Sequence, residues 1–81
     1  MTEQLETRIV VRDIVGAVPY WAVGTSLPNA KAVFKKYSGR FPSKKASIIA
    51  LTGLSDYFNT LQVNDLGDVI YNKNLVKVVI Q

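Results

Sequence analysis

Between Ser26 and Gly39 lies the one stretch of this chain with a clear helical period; most of what flanks it reads as strand or turn. Steps of about 100° per residue place Leu27, Ala30, Val33, Phe34 and Tyr37 within one arc of about 120°. Lys31, Lys35 and Lys36 fall on the opposite side. Ser26 is suited to cap the first turn, and Pro28 is tolerated there because its missing N–H would have no intrahelical partner. Gly39 suits the left-handed position that ends many helices. The helix is therefore expected over Leu27–Ser38, and a lone amphipathic helix needs a sheet on which to bury its apolar face.

The strands come from short β-branched runs. Arg8 to Val15 (R-I-V-V-R-D-I-V) is of strand length, followed by a turn or wide loop bracketed by Gly16 and Pro19 and a second strand from Tyr20 to Thr25. Ile9, Val10 and Val11 are consecutive, which breaks simple alternation and predicts a strand covered on both faces, or a bulge. Ala46 to Thr52 reads as a third, central strand ended by Gly53. Ser55 to Asn59 is expected as a helical turn or loop passing into a strand by Thr60. Asn64-Asp65-Leu66-Gly67 is a hairpin signal joining Thr60–Val63 to Asp68–Tyr71. A second tight turn at Asn72–Asn74 precedes a last strand over Leu75–Ile80, with Lys77 facing solvent. The fold class expected is α+β: one amphipathic helix on a twisted, mainly antiparallel sheet of about five or six strands, in the order β-β-α-β-β-β-β.

Residues 1–81 make one small domain, with 1–6 expected to fray. A chain of this length buries only about 60–65% of the surface its unfolded form exposes. Its apolar share of 48% and charged share of 20% are those of a globular chain. Met1–Thr7 has no basic segment of the secretory kind. The longest uncharged stretch, Ile14–Ala30, is interrupted by glycines and prolines and too short to span a bilayer. A cytoplasmic, soluble protein without membrane partners is the expectation.

Six of the ten basic residues fall between Lys31 and Lys45: Lys31, Lys35, Lys36, Arg40, Lys44 and Lys45. No acid lies in that window, so it carries +6, while the other four cations and six acids leave the rest of the chain at −2. Such a one-sided field attracts phosphate backbones and acidic protein faces. Phe41 is interleaved with these charges, where an exposed ring would stack on a base and Arg40 would fork onto a phosphate. The competing reading is a solvated helix face, with Tyr37 in the core and Pro42 turning Phe41 inward as a plug. Solvated faces usually mix signs, and this one does not.

Catalytic chemistry is poorly represented. The chain has no Cys and no His, which excludes thiol nucleophiles, imidazole triads and zinc fingers. Asp56, Asp65 and Asp68 are the carboxylates for a hydrolytic metal site, but two of them belong to a turn. Ser43, Lys44, Lys45 and Ser47 lack the spacing of serine–lysine catalysis. No cofactor is expected. Trp21 is expected as the largest core side chain, with an interface anchor as its alternative.

A non-enzymatic binding protein is the expectation. Its basic helix–loop surface (Lys31, Lys35, Lys36, Arg40, Phe41, Lys44 and Lys45) would hold RNA or single-stranded nucleic acid. The alternative is a protein–protein inhibitor or adaptor, of the kind viruses and plasmids encode against host nucleic-acid enzymes. It would dock this face on an acidic protein surface or add an edge strand to a target's sheet. A ribonuclease-type toxin is a more distant third reading. The apolar run Val76–Ile80, if placed at a sheet edge, is a natural site for pairing with a second copy.

Overall fold

The structure, a computed structural model, describes residues 4–64 and 68–81. Strand β1 (Leu5–Val15) turns through Gly16 and Ala17 into β2 (Val18–Gly24). Helix α1 (Leu27–Ser38), β3 (Ser47–Leu54) and a 3₁₀ segment (Ser55–Thr60) follow. The short strands β4 (Gln62–Val63) and β5 (Val69–Ile70) and the last strand β6 (Val76–Val79) complete the chain. Four strands form one antiparallel sheet in the order β2-β1-β3-β6, and β4 and β5 pair separately. The fold is α+β, with one helix on a mainly antiparallel sheet. The expected strands are present but divided between two sheets, because β4 and β5 pair with each other across the face opposite the helix.

The helix begins and ends where its local signals fall. Ser26 has extended backbone (φ −146°, ψ 167°) and its hydroxyl accepts from the Asn29 N–H at 3.3 Å. Asn29 returns the bond, its Oδ1 accepting from the Thr25 N–H at 3.1 Å. Gly39 takes φ 86° and donates its N–H to the Lys35 carbonyl at 2.8 Å. Twelve residues are marginal as an isolated helix, so α1 depends on its packing. Ala30 and Phe34 are fully buried against Ile9, Val11, Ala22 and Ile48, and the Tyr20 ring meets Phe34 edge-on at 6.4 Å. The helix backbone passes directly over Gly24, where an added Cβ would lie 2.6 Å from Ala30 Cα.

The opposite face is also covered. Val10, Leu51 and Leu75 are buried there beneath Tyr57, Phe58, Leu61, Val69 and Tyr71. The run Ile9-Val10-Val11 thus sits in a strand buried on both sides, the first of its two expected readings.

Several boundaries differ from expectation. Leu5 and Glu6 pair with Leu54 and Gly53, extending β1 into the stretch expected to fray. Gly16 (φ 65°) opens a two-residue hairpin loop instead of a wide one, so Pro19 lies inside β2. Gly53 does not end β3 but pairs with Glu6 inside it, and Leu75 packs where its side chain would be. The 3₁₀ segment takes in Thr60, so the strand expected from there starts at Gln62. Residues 65–67 of the expected turn lie outside the described residues, while Asn64 and Asp68 close the hairpin with two hydrogen bonds of 3.0 and 2.9 Å.

Candidate functional site

The block from Lys31 to Lys45 is assembled from the last two turns of α1 and the loop into β3. Lys31 and Lys35, four residues apart, share one helix flank, and Lys36 lies about 100° further round. Lys35 and Lys36 stand in the last turn, where the helix dipole favours cations, so part of their role is local stability. Gly39 then reverses the chain and brings Phe41 back under the helix end. The Lys35 ammonium sits 4.7 Å from the centroid of the Phe41 ring. Phe41 is 58% exposed, so Pro42 does not turn it inward as a plug.

The loop is pinned from β1 and from the residue at the chain end that follows β6. The Ser43 N–H donates to Asp13 Oδ2 of β1 at 2.7 Å. The Ser43 hydroxyl accepts from the Lys45 N–H at 3.2 Å, a turn-forming role. From the far side, the Gln81 side-chain amide donates to the Lys44 carbonyl at 2.9 Å and the Ala46 carbonyl at 3.2 Å. Lys44 and Lys45 extend from this fixed backbone into solvent.

Electrostatically the block is nearly uncompensated. Among the described residues the one ion pair is Arg8–Glu6 at 2.7 Å, which involves none of the six block cations. Asp13 is the acid that reaches the loop. Desolvation pushes its pKa up, but the hydrogen bonds from Ser43 and the Ile14 N–H, together with nearby Arg40, outweigh that and hold the carboxyl below its ordinary value. Asp13 therefore stays ionised and offsets one charge beside Arg40, leaving five in excess.

Two aromatic residues expected in the core, Tyr37 from its helical arc and Trp21 as the largest core side chain, are exposed. Tyr37 belongs to the apolar arc of α1 yet is 70% exposed, because the helix lies over β2 and β1 and this side of it reaches past the sheet. Trp21 is 39% exposed, since it alternates with buried Ala22 on β2, beyond which no strand pairs among the described residues. With Pro19, Tyr20 and Val33 they line an open groove of about 490 Å³ that sequence reasoning missed. The adjacent pair Tyr20-Trp21 was its one legible sign: in a strand, one of two neighbours must face away from the helix.

Among the described residues no group of carboxylates could hold a metal ion, and no helix is long and apolar enough to cross a membrane. Asp56 is exposed at the start of the 3₁₀ segment and Asp68 closes the β4–β5 hairpin; Asp65 lies outside the described residues. The chain matches no family model, no curated protein and no solved structure.

Proposed function

We propose that this chain is a small cytoplasmic binding protein, without catalytic activity, that holds RNA or single-stranded DNA on the surface formed by the end of α1 and the Arg40–Lys45 loop. The observation that carries this reading is the Phe41 ring. It is more than half exposed, held under the Lys35 ammonium and carried on a loop tied to Asp13 and Gln81. An apolar ring fixed in solvent among cations has little use in the core. It has an evident one as a platform on which a base stacks while Lys31, Lys36, Arg40, Lys44 and Lys45 follow the phosphates.

Binding of labelled oligouridine and oligothymidine, followed by fluorescence anisotropy over a salt series, tests this. With those five cations on phosphates, log affinity falls against log salt with a slope of roughly −3.5. Phe41→Ala, which removes an exposed ring and leaves the core intact, weakens binding by roughly 5- to 150-fold. Absence of binding at low salt, or binding unchanged by the triple change Lys35→Glu, Arg40→Glu, Lys44→Glu, overturns the proposal. A protein target for the same face would instead appear as a partner captured from lysate after nuclease treatment. RNA degradation by the purified chain would point to the toxin reading.

A further inference from the structure

We propose that β6 is the seam of a homodimer in which two copies pair antiparallel with Val78 on the two-fold axis. β6 is the outer strand of the four-stranded sheet, and among the described residues nothing pairs with its free side. Its apolar side chains are uncovered on both faces: Val76 63%, Val78 56%, Val79 64% and Ile80 45% exposed. Helix α1 lies over β2 and β1 and leaves this half of its face open.

The main chain of β6 selects the register. Val76 pairs with Thr52 and Val78 with Ala50, and the Ile80 N–H donates to the Ile48 carbonyl at 2.8 Å. The Gln81 N–H shares that carbonyl at 3.0 Å, so a bulge ends the ladder there. Alternation along an antiparallel strand then directs the N–H and C=O of Lys77 and Val79 outward. When Val78 faces Val78 of the second copy, Lys77 and Val79 of each chain meet Val79 and Lys77 of the other. All the outward groups are used, in four main-chain hydrogen bonds.

Charge favours the same register. Centring the pair on Lys77 would set two ammonium groups directly opposite, which is destabilising. Centring it on Val79 would bring Lys77 against Gln81, whose N–H is already committed to Ile48. A lysine on an edge usually discourages pairing, yet here it forbids one register and leaves the Val78-centred one open. In that register Val76 faces Ile80 across the seam, and six apolar side chains form one stripe on the helix side. The eight-stranded sheet would carry both helices on that face. The dimer does not depend on the nucleic-acid reading.

The chain has no cysteine, so single cysteines report on the register cleanly. Val78→Cys places two sulfurs across a non-hydrogen-bonded pair, whose Cα separation of about 4.5 Å suits a disulfide. The expected result is rapid oxidation of Val78→Cys to a covalent dimer, with Lys77→Cys and Val79→Cys remaining largely uncrosslinked. In sedimentation equilibrium the unmodified chain runs at twice the monomer mass. Val79→Glu, placed opposite Lys77 of the second copy, tightens the dimer by roughly two- to thirtyfold, and Val79→Lys weakens it by a similar factor. Val79 is exposed, so neither change threatens the fold, and circular dichroism verifies this. A chain that stays monomeric at every concentration, a crosslink favouring Lys77→Cys, or equal effects of the two Val79 changes overturns the proposal.

Discussion

The two edges of the main sheet are finished differently. At β2, the strand carries Pro19, α1 lies above it, and Tyr37 and Trp21 stand alongside. Val15 and Val18 close the two-residue hairpin, so alternation turns Pro19, Trp21 and Val23 outward, and the one residue that cannot donate occupies an outward position. At β6 there is no proline, among the described residues no helix lies above, and a row of exposed valines is broken only by Lys77. Natural sheets blunt edges that must stay unpaired. This one is blunted at β2 and only lightly at β6, so a further strand finds room on one side only.

The contrast is sharpest in stability. Phe34 and Val78 both lie on the helix-side face, one fully buried and one largely exposed. Phe34→Ala should cost about 3–5 kcal/mol, enough to leave a domain of this size largely unfolded at ambient temperature. Val78→Ala should change monomer stability by less than about 0.5 kcal/mol, as surface changes do. Urea unfolding followed by circular dichroism at low protein concentration measures both. Comparable losses at the two sites would mean that the open half of the face is covered in solution, even in the monomer.

Opening the guarded edge is the next largest effect. Pro19→Val supplies an outward N–H to β2. Stability should move by no more than about 1 kcal/mol, since the main loss is the restriction proline places on the unfolded chain. Association should change in kind. With both edges available, sedimentation velocity should show species heavier than a dimer that grow with concentration. If the distribution matches that of the unmodified chain, the aromatic side chains around Pro19, and not its missing donor, close this edge.

How far the sequence was legible follows from how local each signal is. Ser26, Pro28 and Gly39 act within one turn of the residues they terminate, and the helix bounds Leu27–Ser38 coincide with those read from them. The cover on both sides of Ile9-Val10-Val11 was legible because burial is written into consecutive side chains. The exposure of Tyr37 and Trp21 was not, since periodicity reports which way a side chain faces but not whether a strand lies there to receive it. The division into two sheets escaped for a related reason. Gln62–Val63 and Val69–Ile70 carry no mark that they pair only with each other. Within the candidate site, the cations and Phe41 were legible as a block. The two ties that hold their loop were not: Asp13 and Gln81 lie about thirty or more residues from their partners.

Those two ties link the basic loop to both halves of the sheet, through β1 by Asp13 and through the end of β6 by Gln81. Asp13→Asn tests the shorter and charge-assisted of them. It keeps an oxygen acceptor for the Ser43 N–H but removes the charge facing Arg40, for an expected loss of about 0.5–1.5 kcal/mol at neutral pH. The folded-state pKa of Asp13 is depressed, so its contribution is fully present above the ordinary aspartate value of about 3.9 and disappears as pH falls through the lower folded value. Melting temperature against pH should therefore fall less steeply below pH ~4 for Asp13→Asn than for the unmodified chain. Affinity for oligouridine should rise slightly in the same variant, because an acid beside Arg40 has gone. A variant that melts along the same acid limb as the unmodified chain would show that the charge on Asp13 contributes nothing measurable beyond the acceptor that asparagine keeps.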